Sequence, residues 1–190
     1  LDPENTVVLS MDFQNDIVSR FATADPGVVG RAAGALASAR AAGIPVVHVA
    51  VQFRPGHPEV ANRGLFAMIR QMNGFVEGTP GAAIHDAVAP AEGEVVCIKK
   101  RVGAFSGSDL ETVLRALGRT HLVLFGIATS GVVLSTIRAA AGLDYTMHVV
   151  SDCCADADPE VHRVLMEKVF PRMATPITAE AFAAALSSQP

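Results

Sequence analysis

The chain has 190 residues, 50% of them hydrophobic, and a formal net charge of −4. That is enough for a sizeable core, and residues 1–190 read as a single domain. The weak negative charge excludes the basic footprint of a nucleic-acid binder, and no uninterrupted apolar run is long enough to cross a bilayer.

The first residues, Leu1-Asp2-Pro3-Glu4-Asn5, lack a basic segment followed by an apolar one, so a signal peptide is expected to be absent or already removed. The cysteines, Cys97, Cys153 and Cys154, are odd in number and two are adjacent. That is a poor start for a disulfide framework, and a cytoplasmic location is expected.

Six short apolar runs alternate with helical patterns. Thr6–Met11 comes first and leads into Asp12-Phe13-Gln14-Asn15-Asp16. Asp12 falls at the rim of the core, where a partly buried carboxylate beside a lysine can act as general acid or base. It reads equally well as an N-cap or the partner of a structural lysine, and Asp16 reads as structural. Asp25-Pro26 predicts a helix start, with Gly43 and Pro45 as its stop. Pro45–Phe53 is the second run. From Arg54 to Pro80 the pattern is irregular, with a short helix expected near Leu65–Met72. Loops of that length in compact domains are usually lids or binding segments.

Glu94–Lys99 is the third run. If its strand persists, Lys99 and Lys100 lie on opposite faces, one toward a site and one toward solvent. Ser108-Asp109-Leu110-Glu111 has the form of a capping box, and Gly118 ends that helix. His121–Ile127 is the fourth run. It breaks at Gly126-Ile127-Ala128-Thr129-Ser130-Gly131-Val132-Val133 into a helical stretch, Leu134–Ala140. Such a corner aims backbone N–H groups at one point, which suits an anion or a developing oxyanion. An enzyme would place a nucleophile on the first helical turn, yet that turn carries Val132 and Val133. Thr129 and Ser130 are expected to cap the turn or to hydrogen-bond a substrate. Tyr145–Asp152 is the fifth run. Asp158-Pro159-Glu160 opens a helix that Pro171 closes, and Thr175–Thr178 is the sixth run, with Thr178 capping an alanine-rich helix.

Continuous apolar runs separated by helices imply right-handed βαβ units. The expected fold is α/β, a three-layer αβα sandwich with a six-stranded parallel sheet. In open parallel sheets the site lies outside the carboxyl ends of the strands. Phe53, Phe66 and Phe105 can line an apolar pocket there, although core packing explains each equally well. No two histidines have a helical metal spacing, and Gly103-Ala104-Phe105-Ser106-Gly107 is neither a phosphate loop nor a dinucleotide fingerprint. No metal and no cofactor are expected.

Together these segments resemble the isochorismatase-like hydrolases, the cysteine hydrolase superfamily. The resemblance rests on Val7–Asp16, on Lys99–Leu110, on Gly126-Ile127-Ala128-Thr129 and on Ser151–Asp156, and it covers nearly the whole chain. It implies a six-stranded parallel sheet between helices and a homodimer or larger homo-oligomer. It carries the catalytic aspartate onto Asp12, the catalytic lysine onto Lys99 and the oxyanion-hole amides onto Ala128 and Val132. It also implies a cis peptide between Ile127 and Ala128. The nucleophilic cysteine of the amidohydrolase members falls on Val132, which cannot form a thioester, and their aspartate after the threonine falls on Ser130. True isochorismatases, which cleave a vinyl ether, do without the cysteine, but their Gly-x-Tyr-Ala-His-x-Gly stretch is missing at this corner.

The expected activity is hydrolysis of a small amide or enol ether with Asp12 as acid/base and no covalent cysteine intermediate. Lys99 tunes Asp12 and holds charge on the substrate, while Gln14, Phe53, Phe105, Thr129 and Ser130 bind it. The alternative is a catalytically silent member that binds a metabolite or a protein partner. No nucleic acid or membrane partner is expected.

Overall fold

Thr6–Met11 forms β1, and all six of its residues are buried. A strand covered on both faces has no solvent side for polar residues, which is why TVVLSM is nearly all apolar. β1 lies near the middle of an all-parallel sheet ordered β3-β2-β1-β4-β5-β6. The other strands are β2 (Val46–Val51), β3 (Val95–Lys99), β4 (His121–Gly126), β5 (Thr146–Val150) and β6 (Thr175–Ile177). Each falls inside one of the six apolar runs. The structure, a computed structural model, describes residues 1–187, so residues 188–190 of the expected domain span lie outside the described residues.

The helices are α1 (Asn15–Phe21), α2 (Val28–Ala41), α3 (Ala67–Gln71), α4 (Leu110–Leu117), α5 (Leu134–Ala141), α6 (Pro159–Val164) and α7 (Ala179–Ser187). α2 and α7 pack together on one face. The chain reverses its direction across the sheet after β3, so right-handed crossovers carry α4, α5 and α6 to the opposite face. This is the expected three-layer sandwich. Its topological switch point lies between β1 and β4, which pair from Thr6 with His121 to Met11 with Gly126.

Some local expectations are corrected. The capping box at Ser108 does not form. Ser108 Oγ accepts from the Leu110 N–H at 3.3 Å, while Glu111 turns to Arg115 at 2.6 Å. Pro171 does not close α6 directly. A π turn over Leu165–Val169 and a 3-10 turn over Phe170–Arg172 follow it, with Pro171 in the last of these. Asp158 does cap α6, accepting from the Glu160 N–H at 2.9 Å. α1 was not separable in the sequence, because it is short and has no side-chain cap.

Candidate active site

Asp12 is the first residue past β1, and its φ of 59° turns the chain out of the sheet. The left-handed region is tolerated by aspartate better than by most residues with a Cβ. The turn leaves the carboxylate near the carboxyl end of β3, where Lys99 Nζ lies 2.9 Å from Asp12 Oδ2. Both side chains are buried, at 3% exposed for Lys99 and 7% for Asp12, so water screens the pair little. Burial raises the Asp12 carboxyl from its ordinary 3.8 to about 6, outweighing the opposite pull of the Lys99 ammonium. Asp12 Oδ1 is buried without a hydrogen-bond partner among the described residues.

Lys99 also donates to the backbone oxygens of Arg101 at 3.0 Å and Val102 at 2.8 Å. An ammonium has three hydrogens. With Asp12, those partners engage all of them, so Lys99 has no hydrogen left for a substrate and would act on substrate charge only through space. Lys100 points the other way. It donates to Gln52 O at 2.6 Å and lies 3.7 Å from Glu59.

The corner after β4 comes next to this pair. Gly126 is required there, because a Cβ on it would lie 2.4 Å from Met11 O. The Ile127–Ala128 peptide is cis. A π turn over Thr129–Val133 then leads into α5. Two bonds fasten the turn to the segment after β5: Thr129 N–H to Ala155 O at 2.8 Å and Ser130 N–H to Asp156 Oδ2 at 2.7 Å. The Ala128 N–H has no intramolecular acceptor among the described residues.

A cavity of about 560 Å³ opens over these groups, lined by Asp12, Lys99, Ile127, Ala128, Gly131 and Val132. Its outer wall is mostly apolar, with Asp16, Ser19 and Arg20 as its polar members. Ile17 and Phe21 come from α1, and Leu65, Phe66, Met68 and Met72 come from α3 and its flanks. The irregular Arg54–Pro80 segment therefore contributes a wall of the cavity.

The other sequence candidates lie outside the lining. Gln14 is buried, and its amide bonds to Val51 O, Val51 N–H and Ala82 O at 2.7–2.9 Å, so no polar atom of it is left for a ligand. Phe53 is buried behind the wall, its ring edge-on to Phe66 at 6.0 Å. Phe105 packs on Tyr145. Thr129 is buried and shares a 2.8 Å hydrogen bond with His162 Nδ1, and Ser130 is exposed beyond it. The corner's hydroxyls thus belong to the α6 side.

Sequence reasoning missed Ile17, Arg20 and Phe21 as lining residues. The only available signal was the i, i+4 pairing of Ile17 with Phe21, obscured by the shortness of α1. Asp16, read as structural, also lines the cavity, with its carboxylate set over Gly81.

The free cysteines are all buried and none lines the cavity. Burial raises the Cys97 and Cys154 thiols to about 12, and Cys153 is raised further. His48 pairs with Glu94 at 2.9 Å and His57 with Gly74 O at 2.8 Å. Among the described residues no group of three or more His, Cys, Asp or Glu side chains is placed to hold a metal ion. None of the described helices is long and apolar enough to cross a membrane.

A parallel six-stranded sheet whose site lies at the β1/β4 switch point defines an α/β protein with its cavity at the strand carboxyl ends. The isochorismatase domain model matches residues 6–181, and the chain belongs to that family. It is 38% identical over 141 residues to maleamate amidohydrolase of Pseudomonas putida, covering 72% of this chain and 65% of that protein. The match thus spans just under two thirds of that relative. It is 33% identical over 192 residues to ureidoacrylate amidohydrolase RutB of Methylobacterium radiotolerans, covering 89% of this chain and 74% of that one. An isochorismatase family protein from Burkholderia thailandensis superposes with a TM-score of 0.84 at 29% identity, over 99% of this chain and 98% of that one.

Proposed function

We propose that the chain hydrolyses a small amide or enol ether with Asp12 as the acid/base and without a thioester intermediate. The observation that carries this reading is the buried 2.9 Å Asp12–Lys99 pair on the wall of a cavity that also exposes the Ala128–Val132 corner. A carboxyl raised to about 6 is present in both forms near neutrality, which suits proton transfer in either direction. Val132 holds the position that the resemblance gives to the nucleophile, and the buried cysteines lie elsewhere.

On an amide, ionised Asp12 takes a proton from water as the oxygen attacks the carbonyl carbon. The oxyanion that forms faces the Ala128 and Val132 amides. Asp12 then gives its proton to the leaving nitrogen, and the C–N bond breaks to release amine and acid. On an enol ether, protonated Asp12 donates to the enol carbon. Water adds to the resulting oxocarbenium ion, and the hemiketal collapses to carbonyl compound and alcohol. The named relatives act on maleamate and ureidoacrylate, which supports the amide branch first.

Turnover of a panel of small amides and enol ethers by the native chain and by Asp12→Asn tests the proposal. The variant should lose at least about a hundredfold in kcat, in line with a general acid/base group. Undiminished turnover in the variant sinks the mechanism. Saturable binding with no product in any member of the panel supports instead the silent-binder reading, which rests on Val132.

A further inference from the structure

Four charged side chains line the cavity: Asp12, Asp16, Arg20 and Lys99. Lys99 has no hydrogen left for a ligand, because Asp12, Arg101 O and Val102 O take all three. Asp16 has its carboxylate over Gly81, close enough that a Cβ there would lie 2.2 Å from Oδ2. Although Asp16 and Arg20 are four residues apart on α1, no ion pair joins them among the described residues. Nor does Arg20 donate a side-chain hydrogen bond to any described residue. Arg20 is exposed and lines the cavity without an ionic partner among the described residues. Arg20 is therefore the cation of the lining that is open to a ligand.

The surroundings limit what that ligand is. Arg20 stands on the same short helix as Ile17 and Phe21, and across the mouth are Leu65, Met68 and Met72. Those three are 73%, 63% and 52% exposed, apolar side chains held over a cavity instead of in the core. Contiguous exposed apolar groups beside a cavity mark a binding surface.

We propose that Arg20 is the specificity-determining residue of this site, and that it selects substrates carrying a carboxylate at the end away from the scissile bond. The inference rests on the hydrolase reading for the location of the scissile bond at Asp12. A guanidinium matches a carboxylate with two parallel N–H···O bonds, a geometry lysine cannot copy. The apolar mouth takes the carbon skeleton between the carboxylate and the reacting group. A neutral analogue keeps the apolar contacts and loses the ionic ones.

Equilibrium binding of matched probes separates this proposal from the reaction itself. The probes are maleamate and succinamate, each paired with its neutral diamide, measured by calorimetry on the native chain, Asp12→Asn, Arg20→Lys and Arg20→Gln. At an exposed guanidinium the acid should bind about two- to fivefold tighter than its diamide. The preference should fall to about one in Arg20→Gln, survive in part in Arg20→Lys, and persist in Asp12→Asn even though turnover is lost. An unchanged preference in Arg20→Gln overturns the proposal, as does no measurable binding of either acid to the native chain. Full turnover by Asp12→Asn with the Arg20 effect intact overturns only the reaction mechanism.

Discussion

Lys99 holds Asp12 by one oxygen and leaves the other alone. Its ammonium meets Oδ2 at 2.9 Å, two backbone carbonyls fix the remaining hydrogens, and Oδ1 stays buried without a partner. Under the proposed mechanism the lysine positions the carboxyl and acts on it through its charge. Oδ1 would then be the oxygen that moves the proton, on a carboxyl that burial raises to about 6.

Removing the ammonium should therefore change Asp12 before it changes anything else. In Lys99→Met the carboxyl loses the only group that lowers its pKa and titrates above 6. Breaking a buried pair from one side costs about 3–5 kcal/mol, and protonation of Asp12 holds the loss near the lower figure. Urea unfolding should register that loss. The pH–rate profile of the residual activity should shift upward. A profile that stays in place shows that Lys99 does not tune Asp12.

The pH dependence of stability follows with a definite sign. The folded-state pKa of Asp12, about 6, is above its unfolded value of 3.8. The folded state binds the proton more tightly, so Asp12 adds stability that is complete below pH 3.8 and is lost as pH rises through 6. The difference amounts to about 3 kcal/mol for a fully buried group. Asp12→Asn has no proton to lose. Its stability relative to the native chain should improve by about that amount between about pH 3.5 and pH 7.5, most of it below pH 6. Denaturant midpoints at both ends measure it, and parallel curves contradict the raised pKa. In the rate, an amide reaction using ionised Asp12 should rise through pH 6, whereas an enol-ether reaction using its protonated form should fall.

The sheet was legible because its strands are covered on both faces, which leaves unbroken runs such as Thr6–Met11 and His121–Gly126. Asp12 and Lys99 could be found because each stands where such a run ends. The cavity's walls were legible in part: the Arg54–Pro80 segment and its Phe66 line it as expected, while other candidates do not. Gln14 looks like a site residue from its position two past Asp12, but the side chain turns inward to tie β2 to the turn at Ala82. Thr129 and Ser130 look like ligand groups beside the corner, but the π turn carries them toward His162 and Asp156. Leu65, Met68 and Met72 stand at i, i+3 and i+7 and mark the short helix, but that spacing does not say that their apolar face covers a cavity instead of the core. Such placements depend on contacts far apart in sequence, and local pattern carries no information about them.

The valine at the corner can be converted into a reporter. Val132 is nearly buried yet lines the cavity beside Asp12 and Lys99. Cysteine is slightly smaller than valine, so Val132→Cys should change stability by less than about 1.5 kcal/mol. The new thiol would face a cationic neighbour at a helix start, conditions that favour the thiolate. Iodoacetamide should label it far faster than Cys97, Cys153 or Cys154, whose burial raises their thiols to about 12 or above. Incubation with an amide substrate should give an acyl adduct visible by intact mass. Labelling no faster than the native cysteines places Val132 out of reach of the reacting carbon.

Gln14 offers the complementary test, of a residue that the geometry assigns to the framework. Its side chain fills the hydrogen bonds of Val51 N–H and Val51 O, and it shares Ala82 O with Gln52 at 3.2 Å. Gln14→Leu keeps much of the volume and removes these bonds. The Val51 N–H is then buried without an acceptor, a loss of about 1–3 kcal/mol on its own. The variant should unfold at distinctly lower urea, and the folded fraction should keep KM within about twofold, because Gln14 does not line the cavity. A tenfold rise in KM at unchanged stability would instead put Gln14 in contact with the substrate.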